Sequence, residues 1–264
     1  MPVEVSSAAE GIALVRLLGQ SASNAFNPDS ISELADAIRV GLDDEDIRGF
    51  VLTGSGGFFC AGADINEFRQ HIDAGSIGIM IRQMTDILHP LILDIRSSAT
   101  VMIAAVNGAA AGAGLGLALA ADQRIASPSA KFAASYFGLG LSPDGGTSWL
   151  LPRLVGAQVT RRFFFDNEVW DAAACLSHGA VDAVVEEESL LDSALDAAIS
   201  WGRWARVSRA SKDLLDHQEH ADLATHLKLE QRRIIDAGFE PTFSEGVDSF
   251  LEKRSAEFNR EGFK

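Results

Sequence analysis

The stretch Gly54-Ser55-Gly56-Gly57-Phe58-Phe59-Cys60-Ala61-Gly62-Ala63-Asp64-Ile65 follows directly on the strand-like run Phe50-Val51-Leu52-Thr53. Some forty residues on, by the numbering, the pattern recurs: Val101 to Val106 reads as a strand, followed by Asn107-Gly108-Ala109-Ala110-Ala111-Gly112-Ala113-Gly114-Leu115-Gly116. Each passage is strand, then small residues, then helix. Small residues let a ligand approach the main chain, and a helix start presents unpaired N–H groups at the positive end of its dipole. Two such loops can aim two N–H donors at one carbonyl oxygen. Each loop alone also reads as an ordinary tight turn. Neither carries the spacing of a dinucleotide fingerprint or a phosphate-binding loop.

Further strand-like runs lie at Ile12 to Val15 and Arg124 to Ala126. Helical spacing marks Asp29 to Ile38, where Asp29 is a candidate N-cap, and also Thr85 to Ile95 and Leu115 to Ala121. Alternation of strands and helices predicts an α/β fold. From about Leu190 the strands stop, and Leu190 to Val207, Ser211 to Ala237 and Phe243 to Phe258 read as three charge-rich helices. This predicts a core over residues 1–190 and a C-terminal helical region over residues 191–264.

The chain has 264 residues, 47% of them hydrophobic and 22% charged, a composition with ample material for a core. Its formal net charge of −15 argues against nucleic acid or an anionic membrane as partner. Cys60 and Cys175 are too few for a disulfide framework, which points to a reducing, cytoplasmic setting. The N-terminus lacks the pattern of a secretory leader. Val101 to Ala121 is apolar, but its glycines, alanines and Asn107 fit a strand, loop and buried helix better than a bilayer crossing. The six histidines, His71, His89, His178, His217, His220 and His226, show no ligand spacing, so no metal is expected. Glu186-Glu187-Glu188 reads as an exposed face, and Trp201 and Trp204 as core or subunit contacts.

Phe59-Cys60-Ala61-Gly62-Ala63-Asp64-Ile65 with Glu67-Phe68, and Ala104-Ala105-Val106-Asn107-Gly108 through Ala120-Ala121-Asp122, resemble the two signatures of the crotonase (enoyl-CoA hydratase/isomerase) superfamily. Gly138 to Gly146, Leu150 to Gly156, His178 to Asp182 and Phe250 to Arg254 continue the resemblance in register over nearly the whole chain. It implies a spiral of β-β-α units with a C-terminal helical trimerisation region, assembled as a homotrimer or a homohexamer. It also implies an acyl-CoA thioester substrate, coenzyme A being part of that substrate and no further cofactor being required.

By position, the resemblance assigns the oxyanion donors to the N–H groups of Ala63 and Ala113, each typically worth about 3–4 kcal/mol in the transition state. Ala61, Gly62, Asp64, Ile65, Gly112 and Tyr136 are implied to line the substrate, Asp64 also bracing its loop or capping the next helix. The two glutamates of the hydratases are replaced by Gly116 and Tyr136, which disfavours simple hydration. Asp144, in Ser142-Pro143-Asp144-Gly145-Gly146, reads locally as a turn aspartate bracing its own backbone. The resemblance instead matches it to the catalytic aspartate of the phenylacetate-pathway ring-epoxide CoA isomerases and of the 4-chlorobenzoyl-CoA dehalogenases.

The surrounding sequence is closer to the isomerases, which implies an aspartate moving a proton between acyl carbons. His89 and Tyr136 fall where the dehalogenases keep a histidine and a tryptophan. His89 is therefore either an assisting acid/base or a helix-end or surface residue before Pro90. A non-catalytic acyl-CoA binder is a third reading. Lys253 matches a lysine that reaches the coenzyme, often from an adjacent subunit, and reads equally as a solvated helix lysine. The basic residue usual before the Asn-Ala motif is missing from Gln20-Ser21-Ala22-Ser23-Asn24-Ala25.

Overall fold

A computed structural model describes residues 3–18, 23–217 and 222–258. Strands β1 (Val3–Ala9) and β2 (Ile12–Leu17) form a hairpin that leads to helix α1 (Pro28–Leu42). Next come β3 (Gly49–Gly54), β4 (Phe58–Cys60), α2 (Ile65–Asp73) and α3 (Ile77–Ser97). The pattern repeats with β5 (Val101–Val106), β6 (Ala109–Ala111) and α4 (Ala113–Ala120). It repeats again with β7 (Gln123–Ala126), β8 (Lys131–Ala133), α5 (Thr147–Val155) and α6 (Ala157–Phe165). Strand β9 (Val169–Asp171), α7 (Ala172–His178) and β10 (Ala183–Val184) close the core.

Each repeat gives one strand to each of two sheets. The larger sheet has the order β1-β2-β3-β5-β7-β10 and is parallel except for the β1–β2 pair. The smaller has the order β4-β6-β8-β9, with only β9 antiparallel. This is the expected spiral of β-β-α units. Strands β3 and β5 are buried along their whole lengths, the unbroken apolar pattern of strands covered on both faces. The Val101 to Ala121 stretch is β5, β6 and α4. Among the described residues no helix is long and apolar enough to cross a membrane.

Some boundaries differ from the sequence reading. Helix α1 starts at Pro28 and is capped by Asn27, whose side chain accepts from the Ser30 N–H while Ser30 reciprocates. Asp29 lies in the first turn, because the reciprocal box with proline at the first position outcompetes a lone aspartate cap. Helix α3 is longer than expected and runs straight through His89-Pro90, so His89 stands mid-helix rather than at an end.

Beyond β10 the chain forms α8 (Leu190–Gly202), α9 (Ala205–His217), α10 (Leu223–Gly238) and α11 (Pro241–Glu252). Among the described residues there are four α-helices here instead of three. The first expected helix ends at Gly202, and the second stops at His217 before a new cap at Asp222. Helix α8 buries Leu190, Ala194 and Ala198 against Ile12, Val51, Val101 and Ile103 of the larger sheet. Trp201 and Trp204 are partly exposed, and the Trp204 ring lies 5.4 Å from that of Phe258. Glu186, Glu187 and Glu188 are exposed, as expected.

Helix α9 is held to the core by polar contacts. Ser208 Oγ donates to the Ala99 carbonyl at 3.0 Å, and Arg96 pairs with Asp216. Lys212 Nζ sits 2.7 Å from Asp122 Oδ2 and donates to the Thr100 carbonyl, both side chains being 11% exposed. Removing one partner of a buried pair leaves the other unpaired. Lys212→Ala is therefore expected to lower unfolding free energy by about 3 kcal/mol. A urea midpoint equal to that of the parent protein would show that the pair contributes nothing.

Candidate active site

The first donor loop is held by two asparagines, one buried and one half-buried. Asn24, buried and at a left-handed φ of 50°, donates from Nδ2 to the Ser55 and Phe58 carbonyls at 3.0 and 2.7 Å. Asn107 accepts from the Gly54 N–H at 2.9 Å and donates to the Gly56 and Phe58 carbonyls at 3.0 and 3.1 Å. Both thus bind the turn from β3 into β4. The chain then passes Ala61, whose N–H donates to Ser23, and Gly62 at φ 88°.

Ala63 forms a single parallel bridge with Phe26: the Phe26 N–H donates to Gly62 and the Asp64 N–H to Phe26. In such a bridge the flanking residues make the bonds, so the Ala63 N–H points to the opposite side. Asp64 then caps α2 by accepting from the Asn66 N–H at 2.8 Å, the structural role expected of it. Ile65 opens α2 and is exposed.

The second donor loop ends at Gly112, at φ 52° and ψ −125°, and Ala113 is the first residue of α4. Helix α4 is apolar around its circumference and buried from Gly114 to Ala120, as a helix threaded through a core must be. The loops meet main chain to main chain. A Cβ at Gly62 would lie 2.8 Å from the Ala111 carbonyl oxygen and 3.2 Å from the Ala113 nitrogen. Among the described residues neither the Ala63 nor the Ala113 N–H donates a hydrogen bond. Two open donors thus lie close together, one of them at the positive end of a helix.

Asp144 is brought to the same place by the glycines after it. A Cβ at Gly145 would lie 3.6 Å from the Ala113 Cα and 3.7 Å from the Gly116 Cα. In turn, a Cβ at Gly116 would lie 2.2 Å from the Gly145 carbonyl oxygen. Gly145 and the Gly145-Gly146 peptide therefore pack on the first turn of α4, against Gly116. The Asp144 carboxylate is half-buried, and its Oδ1 is 2.7 Å from His89 Nε2. Oδ2 accepts no hydrogen bond among the described residues, which leaves one carboxylate oxygen open.

Tyr136 is buried, and its hydroxyl donates to the Asp144 carbonyl at 2.9 Å. Lys253 is the left-handed C-cap of α11 at φ 56° and is exposed. No contact among the described residues joins it to the donors or to Asp144. Gln20, Ser21, Ala22 and His220 lie outside the described residues. No group of three or more His, Cys, Asp or Glu suited to a metal ion occurs among the described residues.

Asn24, the side chain of Asn107 and Thr147 are site-building residues that the sequence reading did not assign. The available signal was a polar side chain embedded in an apolar or glycine-rich run.

Burial raises two thiols and one phenol of the core. The Cys60 thiol, sealed beneath the first loop, is pushed up to about 12 by burial, as are the Cys175 thiol and the Tyr136 hydroxyl. Each holds its proton more tightly folded than unfolded. The stability they protect is complete below the unfolded thiol value of 9.0 and is lost as pH climbs toward about 12. The urea midpoint is expected to be lower at pH of about 10.5 than at about 8. A midpoint that stays level across that window would contradict the assignment.

A profile of the enoyl-CoA hydratase/isomerase family matches residues 7–261. The 1,2-epoxyphenylacetyl-CoA isomerase of Escherichia coli (strain K12) is 34% identical over 260 residues, covering 96% of this chain and 97% of that protein. The crotonyl-CoA hydratase of Syntrophomonas wolfei is 33% identical over 259 residues, covering 94% and 95%. Among solved structures, an enoyl-CoA hydratase from Polaromonas sp. JS666 superposes with a TM-score of 0.88 at 29% identity, covering 96% of this chain and 98% of that one.

Proposed function

The chain belongs to the enoyl-CoA hydratase/isomerase family, and from that membership we propose that it is an acyl-CoA isomerase with Asp144 as its acid/base. The thioester oxygen sits between the N–H groups of Ala63 and Ala113, beside Gly62 and Gly112. The open oxygen of Asp144 removes a proton from an acyl carbon acidified by the thioester. The electron pair moves to the thioester oxygen as an enolate, and Asp144 returns the proton at the conjugated carbon. Coenzyme A is part of the substrate and no other cofactor takes part.

The observation that carries this reading is the packing of Gly145, the residue after Asp144, on α4. It keeps Asp144 next to the helix that Ala113 opens, and the Gly145 carbonyl fills the space that a side chain at Gly116 would need. With Tyr136 at the other glutamate position, neither residue offers the carboxylate that activates water.

A second reading has its own support in the 2.7 Å His89–Asp144 contact. A histidine-backed aspartate also suits nucleophilic attack on an aromatic acyl-CoA, of the 4-chlorobenzoyl-CoA dehalogenase kind. Purified protein incubated in deuterated water with 3-enoyl, 2-enoyl, ring-epoxide phenylacetyl and 4-chlorobenzoyl thioesters separates the readings by mass spectrometry. Double-bond migration or deuterium uptake without addition of water is expected, with His89→Ala slowing it by only about tenfold. Halide release that collapses in His89→Ala would favour the second reading. Addition of water would overturn both, and binding without turnover of any thioester would mark a non-catalytic acyl-CoA binder.

The assembly proposed is a homotrimer or homohexamer. Supporting it, Ile234, Phe239, Phe243, Phe250 and Leu251 are exposed on and around α10 and α11. Apolar surface of that kind marks contact sites. Lys253, on the same segment, is then proposed to meet the coenzyme of a neighbouring subunit.

A further inference from the structure

Asp144 is followed by two residues in left-handed conformations, Gly145 at φ 60° and Gly146 at φ 72°. A glycine pair gives the chain its widest conformational freedom. The direction in which Asp144 projects its carboxylate is therefore set by whatever holds its peptide groups. Three donors converge on its carbonyl oxygen: Tyr136 Oη at 2.9 Å, Thr147 Oγ1 at 2.8 Å and the Thr147 N–H at 3.2 Å. A carbonyl oxygen has two lone pairs, so this acceptor is fully engaged.

Thr147 is completely buried and Tyr136 is 7% exposed. Burying a hydroxyl is unfavourable unless it is bonded, and both hydroxyls are bonded to the same atom. Packing alone asks only for a ring and a branched side chain at these positions: Tyr136 belongs to the main apolar cluster, its ring 6.4 Å from that of Phe164. Because burial raises the Tyr136 hydroxyl to about 12, it remains a donor throughout the neutral range. The adjoining peptide rests on Ala113 and Gly116, so any tilt of the Asp144 carbonyl also moves the carboxylate against the second oxyanion donor and His89.

The geometry points to Tyr136 and Thr147 as positioning residues: a hydroxyl fork on the Asp144 carbonyl that sets where the carboxylate stands relative to the Ala63 and Ala113 donors. The inference rests on the proposal that Asp144 is the acid/base. It assigns the hydroxyl of Tyr136 to the protein's own backbone and not to the acyl group.

The test uses the full chain with trans-3-hexenoyl-CoA in deuterated water. It compares Tyr136→Phe, Thr147→Val, the double variant, Thr147→Ser and Asp144→Asn. Double-bond migration, deuterium incorporation and thermal melting are followed in each. Tyr136→Phe and Thr147→Val are expected to lower kcat by about 10- to 100-fold with KM held within about twofold, because a small misplacement of a reacting group is enough for such a loss. Deuterium incorporation falls in parallel. Thr147→Ser recovers most of the rate, and the double variant loses less than the product of the singles, since both hydroxyls hold one atom.

Unchanged kcat in both single variants would overturn the fork. So would a rise in KM at constant kcat for Tyr136→Phe, which would make Tyr136 a pocket residue. A Thr147→Ser variant as slow as Thr147→Val would also overturn it. Asp144→Asn separates the two levels of the argument. If it turns over normally, or if the parent protein neither isomerises nor exchanges this thioester, the acid/base reading fails and the fork with it. If Asp144→Asn is inactive while the fork variants keep full activity, only the fork fails.

Discussion

Asp144→Asn is expected to lower turnover of an enoyl-CoA by about a thousandfold while leaving thioester binding within about twofold. A positioned acid/base typically contributes about 10²–10⁴ in rate. Asparagine keeps the shape of the side chain and can still hydrogen-bond His89, but it cannot take up and return a proton. The backbone around it should hold, because the Tyr136 and Thr147 contacts are to the Asp144 carbonyl and not to its carboxylate. Binding should hold as well, because the proposed receivers of the thioester oxygen are the Ala63 and Ala113 N–H groups, which the substitution leaves in place. Steady-state rates together with calorimetric affinity for a slowly turned-over thioester make the comparison. A variant that keeps a tenth or more of the parent rate would remove Asp144 from the mechanism.

The second large effect is expected at Gly116. A Cβ there would lie 2.2 Å from the Gly145 carbonyl oxygen and about 3.0–3.2 Å from the Gly145 carbon atoms, which are main chain and cannot swing aside as a side-chain end can. Gly116→Ala must therefore push the Gly145-Gly146 peptide, and Asp144 with it, off α4. The expected stability loss is about 2 kcal/mol, in the usual range for overpacking. Turnover is expected to fall by about a hundredfold, since displacement of about 1 Å at a catalytic group is enough for that. Gly116→Glu should fare no better and should not create a hydratase, since the same peptide blocks the approach of any side chain. Denaturant melts and the deuterium assay test both. An alanine variant as stable and as fast as the parent would mean that the loop is free to move and that its seat on α4 does not place Asp144.

The degree to which the sequence revealed the site follows from the range of the interactions involved. The α/β alternation was legible because its causes are local: continuous apolar runs for β3 and β5, small residues at the strand-to-helix passages, an apolar helix over Leu115 to Ala121; the spiral was implied by the resemblance. The resemblance to the crotonase signatures located Ala63, Ala113 and Asp144 by residue type and spacing. Asp64 could be read as a helix cap because a cap acts within two or three residues. The limits of α1 and α3 were misread for a related reason. A reciprocal Asn27–Ser30 box and a proline tolerated inside a helix are decided by competition between neighbouring signals, which residue type alone does not rank.

Other features depend on which main chains pass each other, and no short-range pattern encodes that. Asn24 reaches Phe58 across 34 positions and His89 reaches Asp144 across 55. Gly116 reads as an ordinary helix glycine until the Gly145 carbonyl is found against it. Tyr136 reads as a pocket aromatic until its hydroxyl is found on a backbone oxygen. By itself, then, the sequence determined the α/β alternation and the absence of glutamate at positions 116 and 136, and the spiral came with its family resemblance. Only the tertiary structure decided that Gly145, next to Asp144, packs on α4, that His89 pairs with Asp144, and that Tyr136 and Thr147 hold its carbonyl. The physical reason is that hydrogen bonds and close contacts act over about 3–4 Å, and only folding brings residues so far apart in the chain within that reach.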